Sequence, residues 1–289
     1  YAGYDPNLLD AALDSVTLND NTTSGPAARD MNIKVKSKSI VTITNLQVQY
    51  RINNDPVQTL SFNGNLQRGD SVVFAVAGYN FNRSYNRIRV WISSVNGNVD
   101  DYPQNDTIIT SQIICSSPLA GVYSTGCDTC YFDRIQASAL TLKNCGVSGP
   151  VKIAIESGIY YDQVVVDSIP FASATDSIVW TSASGNPEDV ELFMKTDYSY
   201  YRNPFYFNRT HYCSVSNLTL RNTSPRTYDA MQADGPAQAV IVLNTTDHIR
   251  VLNNRLYGAP KDGVISSNAT IIHGGLISED GIFDGNYFE

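Results

Sequence analysis

Aspartates of the C-terminal third are the residues whose type and position could support carbohydrate chemistry. A polysaccharide lyase needs carboxylates for Ca²⁺ and a basic residue, such as Arg250 or Lys261, that abstracts a proton. A glycosidase needs two carboxylates about 5 to 10 Å apart across one sugar bond. No spacing in the sequence places two such aspartates on one face, so the sequence favours a non-catalytic chain and leaves an enzyme open. The catalytic candidates are Asp229, Asp234, Asp262 and Asp280.

The three histidines offer little support for catalysis or metal binding. His211, His248 and His273 are more than 20 residues apart, and each is interpreted as standing alone. The chain also contains no GxSxG, HExxH, P-loop or dinucleotide-binding motif. No cofactor is therefore expected, although Ca²⁺ is a possible ligand.

An oxygen-rich loop near Pro103 is the candidate for that Ca²⁺. Carboxylate and amide oxygens are the ligands that Ca²⁺ prefers, and a bound ion would stiffen the end of the first module. The alternative is an ordinary solvated turn. The candidate ligands are Asp100, Asp101, Asn105 and Asp106.

A run of tyrosines suggests a weak candidate for glycan binding, because exposed aromatic rings can stack on sugars. The candidates are Tyr198, Tyr200, Tyr201 and Tyr206. Alternation in this stretch also allows Phe205 and Phe207 to lie in the core while Tyr206 faces outward.

The chain has five cysteines, and their oxidation state would indicate its cellular compartment. The disulfide candidates are Cys115, Cys127, Cys130 and Cys145. Reduced thiols and half of a zinc site are the alternatives, although no second CxxC follows residues 127–130. Cys213 is interpreted as a small buried hydrophobic residue. Disulfides would indicate an oxidising compartment outside the cytoplasm.

The composition excludes several classes of partner. The chain has 289 residues, of which only 17% are charged, and its net charge is −8. An acidic chain poor in Lys and Arg is a poor partner for nucleic acid or anionic lipid. No apolar run is long enough for membrane insertion. Because the chain begins at Tyr1 without a signal peptide, we expect a mature product or a fragment.

Residues 11–110 alternate apolar and polar side chains, as in Ile88-Arg89-Val90-Trp91-Ile92, with Asn/Gly/Asp turns between the runs. Such short strands without helical periodicity predict an antiparallel β-sandwich of immunoglobulin (Ig) type over residues 1–114. A linker is predicted over residues 115–122.

From residue 123 to residue 289, short strands with polar corners predict a right-handed parallel β-helix, which makes the whole chain all-β. A helix near 132–144, ended by Gly146, is expected to cap its first coil. Asn residues separated by 37 and 32 positions predict a ladder of side chains at one corner. The β-helix is expected to be truncated at Glu289.

The second module resembles the start of a β-helix module in large secreted proteins of the Bacteroidota. The resemblance covers about residues 119–260, and Cys127-Asp128-Thr129-Cys130 departs from it. It is carried by residues 119–126 (LAGVYSTG), 146–151 (GVSGPV), 156–164 (ESGIYYDQV), 169–174 (IPFASA) and 216–220 (SNLTL).

The first module resembles, more weakly, the Ig-like cell-adhesion-related domains of bacterial surface proteins. The matching segments are residues 32–35 (NIKV), 48–53 (VQYRIN), 64–66 (GNL) and 96–100 (NGNVD). The two resemblances imply a chain exported by a type IX-like pathway, which would meet secretion machinery during export. The C-terminal sorting domain of such cargo is absent, which fits a fragment.

Asp-Ser/Thr followed by an apolar residue resembles the O-glycosylation motif of the same phylum. Ordinary turn pairs are the alternative. The candidate sites are Ser15, Ser71, Thr107, Ser168 and Ser177.

These observations lead to one leading functional hypothesis and to several alternatives. The leading hypothesis is a non-catalytic, extracellular or cell-surface module of an adhesin or stalk protein, with an extracellular glycan or other surface ligand as its partner. The first alternative is a carbohydrate-active β-helix enzyme or a glycan-binding module. A further possibility is a cargo domain that is captured together with secretion machinery.

Overall fold

The computed structural model describes residues 6–19, 28–194, 203–222, 240–257, 271–274 and 280–288. The chain divides into two compact units, Tyr1–Ser116 and Ser117–Glu289. Among the described residues, no helix has the length and apolar character needed to cross a membrane.

The first unit is a two-sheet antiparallel β-sandwich, as the alternating pattern predicted. Its strands are β1 (Ala11–Leu18), β2 (Ala28–Ser37), β3 (Ile43–Ile52), β4 (Gln58–Leu66), β5 (Ser71–Asn80), β6 (Tyr85–Val95) and β7 (Thr107–Ile113). One sheet has the order β1-β2-β5 and the other β4-β3-β6-β7. Every second residue points inward, so that Ile33 and Val35 of β2 share a fully buried core with Val48 of β3 and Val90 of β6.

The second unit is a parallel β-helix of about four turns. Its strands are β8 (Leu119–Thr125), β9 (Val147–Ile155), β10 (Gly158–Tyr160), β11 (Val164–Asp167), β12 (Ile178–Ser182), β13 (Val190–Met194), β14 (Phe205–Asn208), β15 (Cys213–Ser216), β16 (Thr219–Asn222), β17 (Ile241–Asn244), β18 (Arg250–Leu252), β19 (Arg255–Tyr257), β20 (Ile271–Gly274), β21 (Ile282–Asp284) and β22 (Tyr287–Phe288). Short 3₁₀ helices lie at Pro103–Asn105 in the first unit and at Pro187–Asp189 in the second.

Three parallel sheets form the faces of the solenoid. Sheet 1 has the order β8-β9-β12-β15-β18-β21, sheet 2 has β10-β13-β16-β19-β22, and sheet 3 has β11-β14-β17-β20. The chain visits the sheets in this order in each coil, so equivalent residues of successive coils lie one strand spacing apart, about 4.8 Å.

The interior is a stack of apolar side chains from successive coils. Trp180 of β12 is fully buried between Ile153 of the coil before and Val215 of the coil after. Phe205 and Phe207 are also fully buried, with ring centroids 6.2 and 6.3 Å from that of Trp180. The structure therefore has the inward direction that the alternation allowed for the two phenylalanines.

The predicted linker and helix differ in their bounds from the structure. Residues 119–122, predicted as part of the linker, belong to β8, because the 2% exposed Leu119 packs inward and β8 pairs with β9. The helix, α1, spans Ile135–Cys145 instead of 132–144. Phe132 is fully buried and bridges to Thr125, so the chain turns into the helix only after it. Gly146, with a φ of 69°, ends the helix as predicted.

Side-chain ladders stabilise two corners of the solenoid. Asn254, at the corner between sheets 1 and 2, is 1% exposed. Its amide accepts a bond from the Leu218 N–H at 3.0 Å and donates to the Val215 carbonyl at 3.0 Å and to Asn286 Oδ1 at 3.1 Å. Where sheet 3 ends, Asn208 donates to Asp167 at 3.0 Å.

The predicted Asn ladder is thus present, but its register was wrong by one position in one coil. Asn217 aligns with Asn253, and both hold a left-handed φ of 54° at the corner. In the preceding coil, the residue aligned with the buried Asn254 is Leu218 and not Asn217. Asn tolerates the left-handed conformation better than other residues with a side chain, so the same residue type occurs at two adjacent positions for two reasons.

Candidate functional site

A set of ionisable side chains among the described residues of the solenoid lies where sheet 3 leads into sheet 1. We call His211, Tyr212, Asp247, His248 and Asp280 the His–Asp corner. His211 and Asp247 are joined by a parallel bridge between successive coils. Tyr212, His248 and Asp280 have left-handed φ values of 52°, 50° and 56°, which turn the chain sharply before β15, β18 and β21.

Imidazole and carboxylate groups alternate within the His–Asp corner. Asp247 Oδ1 lies 3.9 Å from His211 Nδ1 and 3.6 Å from His248 Nδ1, and His248 Nε2 lies 3.4 Å from Asp280 Oδ2. The Tyr212 ring stacks on the His248 ring at 4.3 Å. Asp247 Oδ1 and His248 Nδ1 are buried atoms without a hydrogen-bond partner among the described residues. An imidazole between two carboxylates can hold or move a proton, so this corner has the groups for acid–base chemistry.

Sequence reasoning missed the His–Asp corner, although the signal was present. The interpretation of His211 and His248 as isolated residues was wrong, because both lie beside Asp247. His211 and Asp247 are 36 positions apart, as are Asn217 and Asn253, and His248 and Asp280 are 32 apart, as are Asn254 and Asn286. The separations of 36 and 32 residues that the Asn corner has in its corrected register therefore apply to this corner as well.

A second set of side chains lies on the outward side of sheet 2, and we call it the Arg–Tyr face. It comprises Glu191, Arg221, Arg255, Tyr257 and Tyr287 of the sheet together with Glu188 of the 3₁₀ helix that precedes β13. Strand register places Glu191, Thr219, Arg255 and Tyr287 in one row across β13, β16, β19 and β22. Phe193, Arg221 and Tyr257 form the next outward row.

Contacts within the Arg–Tyr face join successive coils. The Arg221 guanidinium lies over the Tyr257 ring at 4.1 Å, and its Nε donates to Glu191 at 2.6 Å. The ring centroids of Tyr257 and Tyr287 are 6.2 Å apart. Arg255, Tyr257 and Tyr287 line an open pocket of about 330 Å³. The face therefore offers aromatic surface, guanidinium donors and carboxylate acceptors side by side.

Most of the residues predicted for glycan stacking and catalysis lie outside the described part of the chain. These are Tyr198, Tyr200, Tyr201, Asp229, Asp234, Asp262 and Lys261. Tyr206 is half-buried on sheet 3, and its hydroxyl accepts a bond from Asn244 at 3.3 Å. Asp280 belongs to the His–Asp corner. His273 lies in β20, and the exposed Arg250 lies in β18 of sheet 1.

Carboxylates of the predicted Ca²⁺ loop accept hydrogen bonds from the start of β1 and from the residues just before it. Asp100 accepts bonds from the N–H groups of Ala11 and Tyr102, each at 2.7 Å. Asp101 accepts a bond from the Leu9 N–H at 2.8 Å. These contacts give both aspartates a structural role in the sandwich.

The interior of this loop contains the carboxyl group of Asp106, whose burial is not offset by any nearby positive charge from the described part of the chain. Asn105 donates to Asp10 at 3.1 Å, and Asp10, Asp100 and Asp106 are all less than 10% exposed. Burial raises the pKa of the Asp106 carboxyl to about 7, and the Asp100 and Asp10 carboxylates add to the shift. No three His, Cys, Asp or Glu side chains of the described residues are arranged to hold a metal ion, so the Ca²⁺ site stays a prediction.

The predicted O-glycosylation residues lie on the surface to different degrees. Ser71, Thr107, Ser168 and Ser177 are exposed, whereas Ser15 is half-buried in β1. Ser168 Oγ lies 3.2 Å from Asp167 Oδ1 and donates to it. Exposure permits modification at four of the sites, and the modification itself stays a prediction.

The cysteines include the disulfides expected from the sequence. Cys127 and Cys130 form a disulfide within residues 127–130, and Cys115 and Cys145 are also disulfide-bonded. Cys213 is a free thiol with no exposed surface, and burial raises its pKa to about 12. The interpretation of Cys213 as a buried hydrophobic residue is confirmed.

Comparison with known proteins gives only distant similarities. No family model matches the chain, and no curated protein matches it. The CARDB domain of a Pyrococcus furiosus protein in complex with di-metal ions is 15% identical over 37% of this chain and 88% of that chain, with a TM-score of 0.30. A candidate beta-galactosidase from Bacteroides fragilis is 9% identical over 81% of this chain and 50% of that chain, with a TM-score of 0.23. The description of the fold therefore rests on strand pairing alone.

Proposed function

We propose that this chain is a non-catalytic, glycan-binding module of a secreted or cell-surface adhesin or stalk protein. The observation that carries the proposal is the Arg–Tyr face, where Arg255, Tyr257 and Tyr287 surround an open pocket. Amphipathic rings beside polar donors and acceptors suit a ligand that is apolar on its ring faces and polar at its hydroxyl groups.

The scaffold behind this face suits a stalk. Each coil contacts only its neighbours, so stacked coils extend a stiff surface in one direction. The Asn254 ladder and the Cys127–Cys130 disulfide restrain the corners and the first coil. Disulfides persist in oxidising compartments, which supports an extracellular location.

The proposal includes export by a type IX-like pathway in a member of the Bacteroidota. Its support is the resemblance of residues 119–260 to β-helix modules of such cargo. Secretion machinery is then a transient partner, and glycosylation would fall on the exposed Ser71, Thr107, Ser168 and Ser177. Mass spectrometry of the chain purified from its native source should show glycan mass at these residues, and bare peptides would count against glycosylation.

Binding to an array of extracellular polysaccharides tests the proposal directly. The wild-type chain should retain at least one polysaccharide, and Tyr287→Ala should reduce retention at least tenfold because Tyr287 lines the pocket and is about half exposed. Tyr102→Ala is the matched control, since Tyr102 is 53% exposed in the sandwich and Tyr287 is 54% exposed in the solenoid. Retention that is lost equally in both variants, or absent in the wild type, would contradict the proposal.

A carbohydrate-active enzyme is the second candidate, and the His–Asp corner is the observation that favours it. His248 lies between Asp247 and Asp280 and against the Tyr212 ring, which places acid–base groups together on one corner. Reducing-end release or a rise in ultraviolet absorbance from polysaccharides would reveal turnover. Turnover that His248→Ala abolishes would establish this candidate in place of the non-catalytic module.

A further inference from the structure

We infer that the Arg–Tyr face binds a neutral glycan and discriminates against acidic ones. This inference rests on the proposed function and adds the class of ligand. It follows from the charge balance of the face, from the acidity of the whole chain and from the size of the pocket.

The two arginines of the face are already neutralised by the chain. Arg221 Nε donates to Glu191 at 2.6 Å, and the side chains of the two residues are 33% and 24% exposed. Arg255 forms an ion pair with Glu188, and these side chains are 41% and 56% exposed. Each pair joins residues of different coils, so the strand register of the solenoid brings the two partners together. Two positive charges and two negative charges leave the face without net charge.

An acidic sugar would meet an unfavourable field at this face. Its carboxylate could pair with a guanidinium only by displacing a glutamate, which would leave two carboxylates close together. The net charge of −8 adds a repulsion that acts over about 10 Å at an ionic strength of 0.1 M. Both effects oppose the approach of an anionic polysaccharide.

A neutral sugar meets complementary groups in the same arrangement. Guanidinium N–H groups not used by the glutamates donate to hydroxyl oxygens, and carboxylate oxygens of Glu188 and Glu191 accept from hydroxyl groups. Tyr257 and Tyr287 supply ring surface for the apolar side of a sugar. The pocket of about 330 Å³ is at the lower end of ligand sites, which suits one or two sugar rings at a time.

Calorimetry with paired oligosaccharides tests this inference. The probes are neutral gluco- and manno-oligosaccharides and an oligogalacturonate of the same length. The full chain should bind a neutral probe at least tenfold more tightly than the acidic probe, and added NaCl should leave neutral binding unchanged. Trp180 fluorescence verifies that each sample is folded.

A variant without the two glutamate charges provides a second test. The double substitution Glu188→Gln and Glu191→Gln frees both guanidinium charges with little change in shape, so affinity for oligogalacturonate should rise at least tenfold and fall with salt. Equal or tighter acidic binding by the wild-type chain would overturn the inference while leaving glycan binding intact. Absence of binding to every probe would overturn the inference and the proposed function together.

Discussion

Asp106 is the residue whose ionisation should most affect the sandwich. Its folded-state pKa is raised from 3.8 to about 7, so the folded chain retains a proton that the unfolded chain has released. The free energy of unfolding therefore falls as the pH rises from about 4 to about 7, and the destabilisation persists above that range. An amide at this position carries no charge and avoids this loss.

Asp106→Asn should consequently raise the free energy of unfolding by about 2 kcal/mol at about pH 8 and change it little near pH 4. Urea unfolding followed through Trp91, in a Trp180→Phe background, reports on the sandwich. Asp101→Asn, in the same loop but exposed, is the control and should retain the wild-type pH dependence. Identical pH dependence in all three proteins would refute the assignment.

Asn254 is the residue that most stabilises the corner between sheets 1 and 2. Asn254→Ala would leave the buried Leu218 N–H and Val215 carbonyl without partners and should lower the stability of the solenoid by about 3 kcal/mol. Chemical unfolding monitored at Trp180, in a Trp91→Phe background, measures the loss. Asn286→Ala should lower the stability of the solenoid by less, because Asn286 is half-buried in the outer described coil. An equal or larger loss in Asn286→Ala would contradict this explanation.

Whether a side chain points inward could be predicted where a sequence pattern had a single structural explanation. Alternation placed Phe205 and Phe207 inside, and an apolar context placed Cys213 inside. The sequence predicted that an Asn ladder exists, but not which residues are aligned in it. The reason is that Asn217 and Asn254 have two different roles at the same corner. His248 could not be recognised from its own neighbours in sequence, since its partner Asp280 belongs to the next coil.

At the scale of elements, α1 replaces a neighbouring strand at the start of sheet 3. Gln136 Oε1 accepts a bond from the Val165 N–H at 2.6 Å, and Gln136 Nε2 donates to the Val165 carbonyl at 3.4 Å. Ser138 accepts a bond from the buried Trp180 Nε1 at 2.9 Å. The helix thus satisfies the edge of β11 and anchors to the core, which protects the edge from pairing with another chain.

Gln136→Leu should therefore lower the stability of the solenoid by about 2 kcal/mol and promote self-association through β11. Chemical unfolding at Trp180 measures the first effect, and light scattering measures the second. Gln136→Glu retains the acceptor for Val165 and should lie between the wild type and Gln136→Leu. Unchanged scattering in Gln136→Leu would show that α1 does not protect this edge.

Element boundaries were harder to predict than element types. The capping helix was expected near 132–144, and its start moved to Ile135 because Phe132 is drawn into the core. Residues 119–122 were expected as a linker because Pro118 and Gly121 favour irregular structure. Pairing of β8 with β9 overrides that local preference, since tertiary contacts outweigh the propensity of single residues.

At the scale of the whole molecule, composition anticipated the architecture but not the site. Few charges and many Asn, Ser, Thr and Tyr residues suit a β surface with polar corners, and both modules have that character. The Arg–Tyr face could not be predicted in the same way. Arg221, Tyr257 and Tyr287 come from three strands whose register depends on the lengths of the loops between them.

A crystal structure of the chain with a bound neutral oligosaccharide tests the central claim most directly. The account predicts sugar density in the pocket of Arg255, Tyr257 and Tyr287, with hydroxyl groups near the paired glutamates. Tyr287→Ala crystals soaked in the same way should show that pocket without sugar. Sugar bound instead at His248 and Asp280, with its glycosidic bond cleaved, would contradict the claim of a non-catalytic glycan-binding module.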